Sequence, residues 1–291
     1  MALTPEQIEA YHRDGVLTVE NAVTPEQLAA LRADFASWVD ESRVHTGAYG
    51  PGTGGKLRFD VEPGHSADKP TLRRVNAPTE ISEAYLAAMA HSRMTEIVAD
   101  LIGPNVKHHH NKINSKMPGA ATSVDWHQDF PFTPHTNCDL VTALLMVDEV
   151  TEENGPLEVV PGTHKGPIHS LWHDGVFTAA MGKQEAAEMQ AKAVKSFGPA
   201  GSVCLMHTRL AHGSAPNLSQ HPRTLFIAVY SAADAMPCCP NPVPNGHDGM
   251  IVAGTDPHTI RSTEYEIRVP QFPKGASFFT QQAAPASGKA A

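Results

Sequence analysis

Four cysteines in 291 residues, Cys138, Cys204, Cys238 and Cys239, include no Cys-x-x-Cys spacing. A zinc ribbon or thioredoxin-like centre is therefore not expected, and free, reduced thiols are. No uninterrupted apolar run approaches the roughly 18 to 20 residues of a bilayer span, so no transmembrane helix and no membrane partner are expected. The opening stretch MALTPEQIEAYHRDG has no apolar secretory core, which points to a cytoplasmic location. Basic charge is also short: 22 Lys and Arg against 31 Asp and Glu give a net charge of -9. Nucleic acids are bound through clustered cations, so they are not expected partners, and any anionic ligand has to be met by cations gathered locally.

What is present describes a loop-rich globular chain, with 41% hydrophobic residues, 18% charged residues and 24 prolines scattered along it. Histidine is abundant at 17 residues, and imidazole is the commonest metal ligand. Thr4-Pro5-Glu6-Gln7 and Thr24-Pro25-Glu26-Gln27 each place Thr at a helix cap, Pro at the first helical position and Gln three residues on. With Gly15 to Val19 as a short strand between them, the chain opens helix, strand, helix, the second helix running to about Asp40. Residues 45 to 70, rich in Gly, Pro and polar groups, read as a long loop, either at a functional opening or simply mobile. Helical spacing returns from Thr79 to Ile102 and stops at Gly103-Pro104.

Short strands take over beyond that point: Val106 to Met117, Val124 to Phe130, Leu140 to Val147, Leu157 to Val160, Ala193 to Phe197, Val203 to His207 and Arg223 to Ser231. Such a series, with helices collected at the N-terminus, implies a mainly β sandwich or barrel. The organisation expected is a single domain over residues 1–280, helical to about 104 and β from about 105 to 280, followed by a disordered tail at 281–291.

Chemistry concentrates in Val124-Asp125-Trp126-His127-Gln128-Asp129-Phe130, where His127 and Asp129 stand two residues apart and share a face if the strand runs through them. His212, beside a strand and followed by Gly213 and Ser214, offers a further neutral ligand. Two histidines and one carboxylate with open positions make the facial set of non-haem Fe(II) oxygenases. That pattern alone is weak among 17 histidines. Arg223 strengthens it, because a guanidinium heading an apolar strand is costly unless paired. Its natural partner at a barrel mouth is the distal carboxylate of a 2-oxo dicarboxylic acid, although an edge salt bridge would also account for it.

In order along the chain stand Trp126-His-Gln-Asp-Phe130, Glu153-Asn-Gly-Pro-Leu157, Val160-Pro-Gly-Thr-His164, Gly198-Pro-Ala-Gly-Ser202, His212-Gly-Ser214 and Pro222-Arg223. From about His110 to Ser231 the sequence resembles the phytanoyl-CoA dioxygenase (PhyH)-like Fe(II)/2-oxoglutarate oxygenases, which include the ectoine hydroxylases. The resemblance implies a double-stranded β-helix, that is, a cupin-like jelly roll. It implies iron at His127, Asp129 and His212, and 2-oxoglutarate held through its distal carboxylate by Arg223 and Ser214. Asn114 matches an asparagine and Thr142 a hydroxyl residue that contact 2-oxoglutarate in ectoine hydroxylases. Alternation along the strand then puts His110, Lys112, Asn114 and Lys116 on one face, with Lys112 the substrate-facing cation or, equally, a solvated lysine on an edge. Phe130, Phe132, Trp172 and His173 are candidate pocket walls. The run His108-His109-His110 cannot line a single face and is assigned structural roles.

Two departures bear on the substrate. The aromatic that ectoine hydroxylases carry six residues after the first metal histidine is Thr133 here, and the one four residues after the arginine is Ile227, so a cage for a cationic ring is missing. No basic cluster suits the phosphates of coenzyme A. A small anionic or zwitterionic substrate is expected instead, with Lys112, Arg58, Arg73 and Arg74 as the cations available. The resemblance implies O2 as the other co-substrate, release of succinate and CO2, and hydroxylation of an aliphatic C–H, with desaturation, demethylation and ring closure, which begin with the same hydrogen abstraction, open beside it. Halogenation is not implied, because Asp129 keeps the place that a small residue takes in the related halogenases. The other readings are a non-catalytic metal- or ligand-binding jelly roll and a metal-dependent hydrolase, the latter lacking an HExxH motif. The oligomeric state is not legible.

Overall fold

Threonine caps set the N-terminal helices as the sequence predicts. In the computed structural model, which describes residues 1–118, 120–272, 279 and 282, α1 (Pro5–Asp14) and α2 (Pro25–Ser42) each begin on a complete capping box. Thr4 and Thr24 accept from the N–H of Gln7 and Gln27, whose side chains reach back to the cap N–H groups. The run from Thr79, expected as one helix, is two: α3 (Glu83–Ala90) and α4 (Arg93–Ile102). Ser92 turns its hydroxyl onto the Ala88 carbonyl and the Met94 N–H goes to Ala22. The break lets α4 lay Met94, Ile97, Val98 and Leu101 against the sheet core on its own line.

The strands are β1 (Val16–Val19), β2 (Tyr49–Pro51), β3 (Leu57–Val61), β4 (Leu72–Asn76), β5 (Val106–Lys116), β6 (Val124–His127), β7 (Leu140–Met146), β8 (Leu157–Val159), β9 (Trp172–His173), β10 (Val176–Phe177), β11 (Val194–Ser196), β12 (Val203–His207), β13 (His212–Ser214), β14 (Arg223–Ala232) and β15 (Ile251–Ala253). Another helix, α5 (Lys183–Gln190), lies between β10 and β11. Among the described residues the larger sheet runs β1-β12-β7-β14-β5-β4-β3-β2 with β15 also on β5, and the smaller runs β11-β8-β13-β6. Strands β9 and β10 pair only with each other, and no ladder among the described residues joins the larger and smaller sheets, so no closed barrel is seen. The fold is thus mixed, with N-terminal helices and an extensive β core.

Residues 45–70, expected as loop, hold β2 and β3, which extend the larger sheet through β4. Their charged residues disguise the strand pattern: Arg58 is buried against Glu80 and the carbonyls of Asn76 and Ala77, and Asp60 pairs with Arg73 at 3.0 Å. The expected tail at 281–291 lies outside the described residues apart from Gln282. No helix among the described residues is long and apolar enough to cross a membrane, and all four cysteines are free.

Period-two alternation divides the central strands between two cores. On β14, Phe226, Ala228 and Tyr230 join the core beneath the helices, whereas Leu225 and Ile227 join the one between the sheets. Strand β7 does the same with Val141, Ala143 and Leu145 against Leu144 and Met146. Burial on both faces is why these strands read as unbroken apolar runs. The face between the sheets also carries the polar residues of a cavity.

Candidate active site

His127 ends β6 and His212 opens β13, and the ladder between these strands sets the two residues opposite one another. Strand alternation is not what brings Asp129 to them. Strand β6 stops at His127, and Asp129 sits in a helical conformation at the start of the single turn Phe130–Phe132, folding its carboxylate back toward the imidazoles. Asp129 Oδ1 lies 3.5 Å from Nε2 of His127 and 3.6 Å from Nε2 of His212. The three ligand atoms fall within 4.8 Å of one another, and the described residues hold no other such group. Each imidazole donates its Nδ1 proton to a carbonyl two residues back, His127 to Asp125 at 2.7 Å and His212 to Leu210 at 3.0 Å. That tautomer makes Nε2 of each ring, the atom turned toward Asp129, a lone-pair donor suited to a metal ion.

The electrostatics prepare the same state. Burial pushes the His212 imidazole down to about 4, His127 adding to the effect and Asp129 opposing it, so the ring is neutral near pH 7. Burial alone would raise the Asp129 carboxyl, but His212, His127 and Lys112 hold it well below the ordinary carboxylate range. Its second oxygen accepts a hydrogen bond from the Thr142 hydroxyl at 2.7 Å. The residues present fit a six-coordinate divalent ion with open positions.

The triad opens into a cavity of about 970 Å³ between the sheets. At its far end Arg223 and Lys116 are partners across the β14–β5 ladder. Arg223 donates through Nε and Nη2 to the Gly155 carbonyl at 3.0 and 2.8 Å. Lys116 donates to Ser214 Oγ at 2.8 Å and to the Ala215 carbonyl. Neither cation is in an ion pair among the described residues. Burial lowers Arg223 to about 10, and burial with Arg223 close by lowers Lys116 to about 6. Gly155 has a reason to be glycine: its φ is 79°, and a Cβ there would meet the Ala215 oxygen at 2.7 Å and Lys116 Cδ at 3.0 Å.

Of the residues singled out from the sequence, His127, Asp129, His212, Arg223, Ser214, Asn114, Thr142 and Lys112 all line this cavity. So do Thr133 and Ile227, where ectoine hydroxylases were expected to differ. Asn114 Oδ1 is buried without a hydrogen-bond partner among the described residues, as a group that receives a ligand would be. Phe130 and Trp172 are not cavity walls. Phe130 is fully buried against Tyr265, Leu140 and Ala235, and Trp172 packs on Phe177 beneath the Arg268 guanidinium. Lys116 is the functional candidate that sequence reasoning passed over, although alternation with Asn114 had placed it on the right face. The three consecutive histidines separate as expected. Alternation keeps His110 on the cavity face with Lys112 and Asn114, and beyond it a bulge in the β5–β14 ladder breaks the alternation, His108 bonding the His247 carbonyl and His109 meeting Asp248 and Asn241.

Residues 11–225 match the family model for phytanoyl-CoA dioxygenase (PhyH). The chain belongs to the PhyH family. A probable alpha-ketoglutarate-dependent hypophosphite dioxygenase of Stutzerimonas stutzeri is 30% identical over 269 residues, covering 91% of each chain. The ectoine dioxygenase of Stutzerimonas stutzeri strain A1501 is 24% identical, over 80% of this chain and 78% of that one. The crystal structure of EctD from S. alaskensis with 2-oxoglutarate and 5-hydroxyectoine superposes with a TM-score of 0.63 at 21% identity, covering 94% of this chain and 89% of the other. Within the PhyH family, two histidines and a carboxylate at one point are the Fe(II) site of a 2-oxoglutarate-dependent dioxygenase. His127, Asp129 and His212 supply that set, and with Asp129 as the carboxylate the chemistry is that of a hydroxylase, not a halogenase.

Proposed function

We propose that the enzyme hydroxylates an aliphatic C–H of a small acidic molecule, with 2-oxoglutarate bound between the triad and the Arg223–Lys116 end of the cavity. The observation that carries this reading is the pair of buried cations with no acidic partner among the described residues, set in the same cavity as the triad. Arg223 and Lys116 would take the distal carboxylate, with Ser214 aligning Lys116 and Gly155 fixing the guanidinium fork. Asn114 would meet the co-substrate through its unpartnered amide. Thr142 would act through Asp129, keeping its second oxygen off the metal. Bound iron with 2-oxoglutarate and O2 supplies the oxidant, releasing succinate and CO2. What the protein adds is position: ligands on paired strands, a co-substrate held at its far end, and apolar walls from Leu144, Leu225 and Ile227 that exclude water.

In this reading the facing sheets form a double-stranded β-helix, and residues 1–280 act as one domain. Four free cysteines suit a reducing cytoplasm. The name of the hypophosphite relative, an enzyme of an inorganic oxoanion, supports an acidic substrate, as do the cavity's cations. The test is anaerobic titration with Fe(II) and then 2-oxoglutarate, followed by visible absorption. A charge-transfer band is expected that His212→Ala abolishes and Arg223→Ala weakens; folded, metal-loaded protein without such a band would refute the reading.

A further inference from the structure

The buried histidines around His110 are tied into the fold. His108 meets the His247 carbonyl through Nδ1 and the Asn111 amide through Nε2, His109 meets Asp248 and Asn241, and His135 meets the Thr133 carbonyl at 2.8 Å. His110 differs. It is only 4% exposed and lines the cavity, yet neither of its ring nitrogens has a hydrogen-bond partner among the described residues. The edge contact with the His109 ring packs it in place without supplying one. Thr133 is in the same condition: it is 3% exposed, it lines the cavity, and its hydroxyl is buried without a partner among the described residues. A fold that leaves two buried polar groups unmatched in one cavity leaves their partner to whatever fills it.

Both groups stand at the metal end. His110 lies opposite Val229 on β14, and Val229 opposite Thr142 on β7, the residue whose hydroxyl holds Asp129. Thr133 closes the single turn that Asp129 begins. The end assigned above to 2-oxoglutarate lies the other way along β5, past Asn114 to Lys116 and Arg223. Lys112, between His110 and Asn114 on the same face, lines the cavity and makes no hydrogen bond or ion pair among the described residues. An acid group thus has a cation to meet, and His110 and Thr133 remain for something else. Burial, with His109, Lys112 and His108 adding to it and Asp129 opposing, holds the His110 imidazole well below its ordinary value, so the ring is neutral near pH 7. A neutral imidazole offers one donor and one acceptor, and a threonine hydroxyl offers both. Neither balances a charge; both suit an uncharged oxygen.

We propose that His110 and Thr133 form a polar subsite that hydrogen-bonds an uncharged oxygen of the substrate beside the metal ligands, the substrate being an acid that also carries such an oxygen, most simply a hydroxyl. The proposal rests on the oxygenase reading and deepens it. With the acid group at Lys112 and the second oxygen at the subsite, two fixed points decide which C–H faces the metal.

Calorimetric titration of the anaerobic Fe(II)–2-oxoglutarate form tests it with two matched pairs, 3-hydroxypropionate against propionate and 2-hydroxyethylphosphonate against ethylphosphonate. In at least one pair the hydroxy acid should bind about tenfold more tightly than the plain acid. His110→Leu and Thr133→Val should each remove most of that preference while leaving the affinity for the plain acid and the charge-transfer band unchanged. His110→Gln, which keeps a donor and an acceptor, should retain part of it. Equal affinity within both pairs, a preference that survives in His110→Leu, or no binding of any of the four overturns the subsite. Thr133→Val, nearly the same in shape as the residue it replaces, guards against a misfolded leucine variant. A wild type without the band would sink the oxygenase reading instead, and titrating the same four acids into metal-free protein still decides the subsite by whether the hydroxyl preference depends on His110.

Discussion

Thr142 shows how much rests on one hydroxyl at the residue scale. It holds the non-ligating oxygen of Asp129 at 2.7 Å, and partners of this kind orient a ligand more than they bind the metal. Thr142→Val is expected to weaken Fe(II) binding about tenfold, with Thr142→Ser restoring it, as read by anaerobic Fe(II) titration. Equal affinity in the valine variant would mean that the bond is incidental. Lys116 makes a prediction in pH. Burial and Arg223 bring its folded value to about 6, against about 10.4 in an unfolded chain. Between those values the unfolded chain holds the extra proton, so unfolding becomes harder as pH rises. Lys116→Met should therefore gain most over the wild type at and below pH 6 and lose that advantage toward pH 10, as measured by denaturant unfolding across that range. The same shift predicts proton uptake when 2-oxoglutarate binds near pH 7.5, visible as a heat of binding that changes with the ionisation enthalpy of the buffer.

Whole elements carry other consequences. The turn between β7 and β8 places Gly155 so that its carbonyl receives both guanidinium bonds of Arg223. Gly155→Ala forces a Cβ onto the Ala215 oxygen at a positive φ and should raise the KM for 2-oxoglutarate about tenfold or more with little change in Fe(II) affinity. A loss of both together would indicate collapse of the smaller sheet instead. At the other pole, Thr24→Ala removes one capping box from α2 and should cost about 1 kcal/mol of stability, leaving the charge-transfer band in place. The band's disappearance would show that α2 supports the site and does more than cover the sheet.

Across the whole molecule, the triad bridges segments far apart in the chain: β6 with the turn after it, and β13. A ligand that joins them favours the folded state by mass action. Saturation with Fe(II) at about a hundred times its Kd should stabilise the protein by about 2.7 kcal/mol. The rise should appear in thermal unfolding and be absent in His212→Ala; an equal rise in that variant would place the metal elsewhere.

Much of this was legible in residue order. Caps at Thr4 and Thr24, ligand types in His127, Asp129 and His212, the arginine heading an apolar strand, and the alternation of His110, Lys112, Asn114 and Lys116 are all local chemistry, which a chain carries wherever it goes. Other features depended on neighbours distant in sequence. Strands β2 and β3 were hidden because Arg58 and Asp60 find their partners in Glu80 and Arg73 only after folding. Phe130, next to Asp129, and Trp172, in β9 before α5, are turned away from the cavity by packing that no spacing records. The sequence determined which groups could bind iron and an acid. Tertiary structure decided that Arg58 and Arg73 are held in ion pairs with Glu80 and Asp60 and that Arg223 and Lys116 share a cavity with the triad, because a charge's role depends on what the fold sets beside it.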